Sequence, residues 1–210
     1  MQSEKLFATS VDHGMLRKVR EIVTVSGQIP RGHFPSRKAK RLKYESLIEL
    51  DSLRVFEVAS HVTKVLTQQL VIKIASDGRT RRYTPDFTAK ILDKDFYVEV
   101  KPDDFAANPK VANRMKDVVA FMRKENLNFF FITADDVRAN GLQDILKDLL
   151  AKRPPPGRYE LNRDPNIWDT PGSELTEPEL TAQWIQAQKF CNDLLERVMK
   201  RDPDSLFPTA

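Results

Sequence analysis

The stretch LNFFFITA, residues 127–134, constrains the fold more than any other part of the sequence. It is nearly all apolar. A strand of that kind has no polar face to turn to water, so it must lie inside a sheet covered on both sides. Its flanks supply the cover. PKVANRMKDVVAFMRKEN, 109–126, reads as an amphipathic helix with a proline in its first turn, and NGLQDILKDLLAK, 140–152, as a second core helix. Upstream, YESLIELDSLRVFEV, 44–58, is a helix with Leu47, Leu50 and Leu53 at apolar spacing. VTKVLTQQLVIKIA, 62–75, alternates and is β-branched, which predicts a strand ending at the Asp77-Gly78 turn. TRRYTPDFTAKIL, 80–92, is the next strand, DKD a turn, and FYVEVK, 96–101, a third strand closed by Pro102. Three meandering strands, a crossover helix and a buried strand make a mixed α/β sheet flanked by helices.

That core occupies residues 44–153. Before it, 1–43 form an irregular basic N-terminal arm; after the RPPPG break, 157–210 form an acidic, partly helical C-terminal extension. The extension's helix, 176–200, carries Trp184, Ile185, Phe190, Leu194, Leu195 and Val198, a packing stripe. The charge is unevenly spread. Residues 1–44 hold ten Lys or Arg against three acids, and 157–210 hold six against ten. A basic front and an acidic tail imply two different partners, or a tail folded back on the front.

With 40% hydrophobic and 30% charged residues the chain has a globular composition, not a disordered one. No apolar run is long enough to span a bilayer, and the first residues show no signal pattern. Cys191 is the single cysteine, which excludes an internal disulfide and a thiolate cluster; it reads as a buried thiol. His13, His33 and His61 lack ligand spacing and read as structural. The expectation is a cytoplasmic protein with no membrane partner.

Chemistry concentrates in RRYTPDFTAKILDKDFYVEVKP, 81–102. Side chains two apart on a strand share a face, so Glu99 and Lys101 point together while Val98 and Val100 enter the core. Asp86 follows a proline on the preceding strand. With the turn at LDKD, Asp86 and Glu99 lie on neighbouring strands near one end. Two such carboxylates repel unless a hard cation sits between them, and Mg²⁺ takes carboxylates while keeping places for phosphate. Lys101 adds a charge that can stabilise a hydroxide-like water and the phosphorane. Glu45 and Glu49 share one face of the upstream helix, where a metal would offset their charge. Arg31, Arg37, Lys38, Lys40, Arg41 and Lys43 in the arm, with Arg79, Arg81 and Arg82 ahead of Asp86, are candidate contacts to a DNA backbone. The same residues also fit a charged edge hairpin and a solvated basic run.

The PD…EVK pattern with an acidic helix upstream resembles the PD-(D/E)xK nuclease superfamily. Four ordered segments, RGHFPSRKAKRLKYESLIELDSL, TQQL, RRYTPDFTAKI and YVEVKP, resemble the N-terminal catalytic domain of TnsA, over residues 26–153. TnsA is the endonuclease subunit of heteromeric cut-and-paste transposases. The resemblance implies a restriction-endonuclease-like fold and Mg²⁺ as cofactor, with Mn²⁺ able to substitute. It implies cutting at the 5′ ends of a transposon, beside an integrase-type transposase and an ATPase regulator, in the bacterial nucleoid. By motif position Glu49, Asp86 and Glu99 match the metal-binding acids and Lys101 the lysine. Gln68 matches the family glutamine, although this chain reads Gln68-Gln69 where many members have Gln-Pro. Which of Glu45 and Glu49 meets metal stays open. Two other readings keep the same residues: a stand-alone nuclease of repair, defence or a phage, and an inactive DNA-binding scaffold.

Overall fold

The computed structural model describes residues 30–39, 42–68, 70–76, 79–152 and 177–207. Its centre is a four-stranded sheet of β3 (Val62–Thr67), β6 (Phe87–Ile91), β7 (Lys94–Lys101) and β8 (Phe129–Thr133), in the order β3-β6-β7-β8. β6 pairs antiparallel with both β3 and β7, while β8 runs parallel to β7. The parallel step needs a crossover, and α2 (Pro109–Lys124) supplies it. The β6–β7 hairpin turns on Leu92 and Asp93, both left-handed (φ 48° and 61°), as a tight two-residue turn requires.

Period two sends alternate residues of β7 and β8 to opposite faces. One face carries Val98, Val100, Phe130 and Ile132. It is covered by α1 (Leu47–Val58), α4 (Leu142–Lys152) and α5 (Glu177–Lys200). The other carries Tyr97 and Phe131, packed by Met115, Val118, Val119 and Met122 of α2 with Phe105 and Phe207. The all-apolar strand is thus covered on both faces, but among the described residues it lies at the edge of the sheet, paired only with β7, and not inside it. The α-helical layers, not neighbouring strands, account for its lack of a polar face. α5 places Leu180, Trp184, Cys191, Leu194 and Leu195 in the same core as α1 and the sheet, and so contributes directly to the main core.

Four local features differ from the sequence reading. Each long strand of the first hairpin is two strands. β3 and β6 join the main sheet, whereas β4 (Ile72–Ser76) and β5 (Arg79–Tyr83) form a separate ribbon. The break falls where Gln68, with φ 45°, lies across from Pro85-Asp86, which lacks a proline N–H to continue the ladder. The basic arm holds a small antiparallel pair, β1 (Gly32–Phe34) with β2 (Leu42–Tyr44). The helix read from 44 starts at Leu47 because Ser46 caps it, its side chain accepting from the Glu49 N–H. The helix read from 140 is preceded by a short α3 (Ala134–Arg138), which begins in a capping box of Thr133 and Asp136, and left-handed Asn140 (φ 56°) separates it from α4. The turn at Asp77-Gly78 lies outside the described residues.

Candidate active site

The β6–β7 register sets the site. The last pair is Phe87 with Val98; one step on, Asp86 comes level with Glu99. Asp86 Oδ2 accepts the Val100 N–H at 2.8 Å, which fixes the carboxylate against β7. The Asp86 carbonyl accepts the Gln68 N–H at 3.1 Å, so the contact from Gln68 runs through its backbone. Glu99 is buried. Its Oε2 accepts the phenol of Tyr83 at 2.7 Å, and its Oε1 pairs with the Lys101 ammonium. Lys101 Nζ also donates to the Val100 carbonyl at 3.2 Å.

Tyr83 is a site residue that the sequence reading passed over. The break at Gln68 and Pro85 turns the ribbon over the α2 side of the sheet, and this brings a buried phenol onto Glu99. Burial, then the charge of Glu99, push the Tyr83 hydroxyl well above its usual range, so it stays a donor.

Glu49 sits in the first turn of α1, also buried. Its oxygens accept the Glu45 N–H at 2.9 Å and the Ser46 hydroxyl at 3.0 Å. The Ser46-Leu47-Ile48-Glu49 spacing is a capping pattern readable in the sequence. Burial raises the proton affinity of Glu49, and these two hydrogen bonds oppose that rise. Glu45 therefore reaches Glu49 through its backbone amide.

The electrostatics single out Asp86. Burial first, then the charge of Glu99, push its carboxyl well above the usual carboxylate range; Glu49 adds to this and Lys101 opposes it. Burial works against the charge on Lys101, but Glu99 and Asp86 outweigh it and hold the ammonium above its usual value. Three acids thus act on one another with one lysine among them. That is the donor chemistry a hard divalent cation fits. Among the described residues no three His, Cys, Asp or Glu side chains are already grouped around a cation-sized space. The oxygens of Glu99 and Glu49 are held by proton donors from the chain, and they would have to turn from these to hold a metal.

The candidate backbone-contacting cations fall into separate groups. Lys38 Nζ donates to the Phe56 carbonyl at 2.7 Å and to that of Ala59, capping the end of α1. Arg37 is buried, its N–H bonded to Glu57 at 2.9 Å. Arg81 pairs with Asp117 of α2 at 3.2 Å. Arg82 is exposed on the outer face of the ribbon, and Arg31 and Lys43 are half-buried. Lys40, Arg41, His13 and the side chain of Arg79 lie outside the described residues. His33 is exposed; His61 Nδ1 stands 3.9 Å from Glu196. Cys191 is buried, and burial pushes its thiol up to about 12.

A mixed sheet flanked by helices, with an aspartate and an acid–x–lysine strand side by side at one end, defines a restriction-endonuclease-like domain. Residues 59–134 match the family model described as TnsA-like endonuclease N terminal, so this part of the chain is similar to that family. The matched segment contains Tyr83, Asp86, Glu99 and Lys101; Glu45 and Glu49 precede it. No curated protein matches the chain. No described helix is long and apolar enough to cross a membrane.

Proposed function

We propose that this chain is a metal-dependent DNA endonuclease, the subunit of a heteromeric cut-and-paste transposase that hydrolyses phosphodiester bonds at the 5′ ends of a transposon. The observation that carries the reading is the convergence of Asp86, Glu99 and Lys101 at one sheet end, inside the segment that matches TnsA-like endonucleases. Asp86 and Glu99, with Glu49, would hold Mg²⁺, or Mn²⁺ in its place. Bound there, the ion would supply Lewis acidity to a phosphoryl oxygen and make a water more acidic. Lys101 keeps its proton beside Glu99 and offers positive charge to the attacking water and to the developing phosphorane. Tyr83 holds Glu99 in place through its phenol. The expected products are a 3′-hydroxyl and a 5′-phosphate.

An integrase-type transposase would supply end specificity, and an ATPase regulator would restrain cutting; the basic arm and Arg82 would lie along the duplex. The core at 44–153 is the nuclease unit in this reading. α5 of the acidic extension is an integral support for it, since it shares the core of α1.

The test is strand cleavage of a labelled linear duplex carrying a transposon end, with Mg²⁺ or Mn²⁺, with and without an integrase-type transposase as the partner. Wild type is compared with Asp86→Ala and Lys101→Ala. Nicking near the 5′ end that needs the partner and disappears in both variants is expected, with a loss of about 10²–10³-fold or more. Cutting without the partner moves the function to a stand-alone nuclease. Processing that persists in both variants removes the catalytic site from the account.

A further inference from the structure

Arg114 has no role in the reading above, which this inference deepens. It lies on α2, exposed, and forms no hydrogen bond or ion pair among the described residues. Its place is set by packing. Arg81 of β5 pairs with Asp117 of α2 at 3.2 Å and ties ribbon to helix. Two residues along β5, on the same face, Tyr83 reaches Glu99. Three residues back along α2, on the same helix face as Asp117, stands Arg114. The strand and the helix therefore bring a guanidinium to the rim of the acid cluster. Its charge acts on the Tyr83 phenol, and it also works against the charge on Lys101. Asp117, the acid nearest along the helix, is already engaged by Arg81. A cation that burdens its cationic neighbour and has no acid of its own among the described residues suits an anion from outside the chain.

From this placement we infer that Arg114 is a further phosphate-binding residue of the nuclease site, contacting the backbone of the cut strand on the α2 side, beside Lys101. The planar guanidinium suits this task, because it meets two phosphate oxygens at once where an ammonium meets a point. The inference rests on the nuclease reading: the anion is the phosphodiester that the acids and Lys101 process.

Two readouts test it, both on the full chain. In EDTA, binding of a fluorescent duplex of random sequence is measured against salt for wild type, Arg114→Ala, Arg114→Lys and Lys189→Ala, the last an exposed lysine on the opposite side of the sheet. With Mn²⁺, KM and kcat for cutting are measured for the same set and for Asp86→Ala. Removing one phosphate contact lowers the slope of log affinity against log salt by about 0.9. Arg114→Ala is expected to lose that much and to raise KM severalfold. Arg114→Lys is expected to keep the slope and still raise KM, and Lys189→Ala to behave as wild type. An unchanged slope and KM in Arg114→Ala, or the same slope loss in Lys189→Ala, overturns the inference. Cutting abolished by Asp86→Ala beside an unchanged Arg114→Ala sinks the inference alone; cutting that survives in Asp86→Ala sinks the nuclease reading and the inference with it.

Discussion

Two groups of buried or partly buried acids in this fold are balanced differently. At the junction of β8, α3 and the end of α5, Asp136 accepts from Arg201 at 2.7 and 3.1 Å, and from the Thr133 N–H and hydroxyl at 2.9 and 3.0 Å. Asp51 of α1 is treated alike, with Arg54 at 2.6 Å and Arg138 at 2.7 Å. At the sheet end, Glu49, Asp86 and Glu99 share Lys101. Burying a charge is costly unless it is paired, and the fold pairs Asp136 and Asp51 with arginines. It leaves the carboxylates at the end of β6 and β7 in excess. Evolution of a stable core alone gives no reason for that excess, whereas holding a cation does.

The sharpest way to break the contrast is to remove a structural partner. Arg201→Ala leaves buried Asp136 only the exposed Arg197, 4.0 Å away, in place of its close cation, which costs about 3 kcal/mol. At this chain length the melting temperature should fall by about 10 °C. Where the variant remains folded, its cutting rate should be close to wild type. Thermal denaturation and cleavage measured side by side check this; a large rate loss with unchanged melting would erase the distinction between the clusters. Tyr83→Phe probes the other side. It removes the phenol from Glu99 and should slow cutting about tenfold, the worth of roughly 1.4 kcal/mol for a hydrogen bond to a charged acceptor. The ring still fills its core site, so melting should change by less than in Arg201→Ala.

The smallest effect runs in the opposite direction. Asp86 has a raised folded-state proton affinity, from burial and from Glu99. Its contribution to stability is fully present below the ordinary carboxylate value near ~4 and is lost as pH rises through the raised folded value. Asp86→Asn, which can still accept the Val100 N–H, should therefore melt higher than wild type in metal-free buffer at neutral pH, by about 2–4 °C for each kcal/mol relieved. The gap should close as pH falls toward ~4. A variant that melts lower at neutral pH would show that the Asp86 carboxylate is stabilising as it stands.

How much of this was legible from sequence follows from the range of the interactions. Asp86, Glu99 and Lys101 could be grouped in advance because period two and one short turn decide which side chains share a strand end. The cover on both faces of β8 followed from its lack of a polar face, whereas its place at the sheet edge did not. Tyr83 and Arg114 depend on a longer chain of causes. The hairpin must break at Gln68 and Pro85, and the ribbon must then lie on α2, before Tyr83 meets Glu99 and Arg114 acts on Tyr83. Lys38 and Arg82 look alike in a basic sequence, yet the carbonyls at the end of α1 engage the first, while the second is exposed. The caps of α1 and α3 were written in Ser46–Glu49 and Thr133–Asp136, and in each case the capping acid has a second place in the fold.

The most direct test of the central claim is Mn²⁺ titration calorimetry at neutral pH on wild type, Asp86→Asn and Lys189→Ala. The excess of acid at the sheet end predicts a saturable heat for wild type and Lys189→Ala that Asp86→Asn abolishes. Equal binding by all three proteins, or none by wild type, would contradict it.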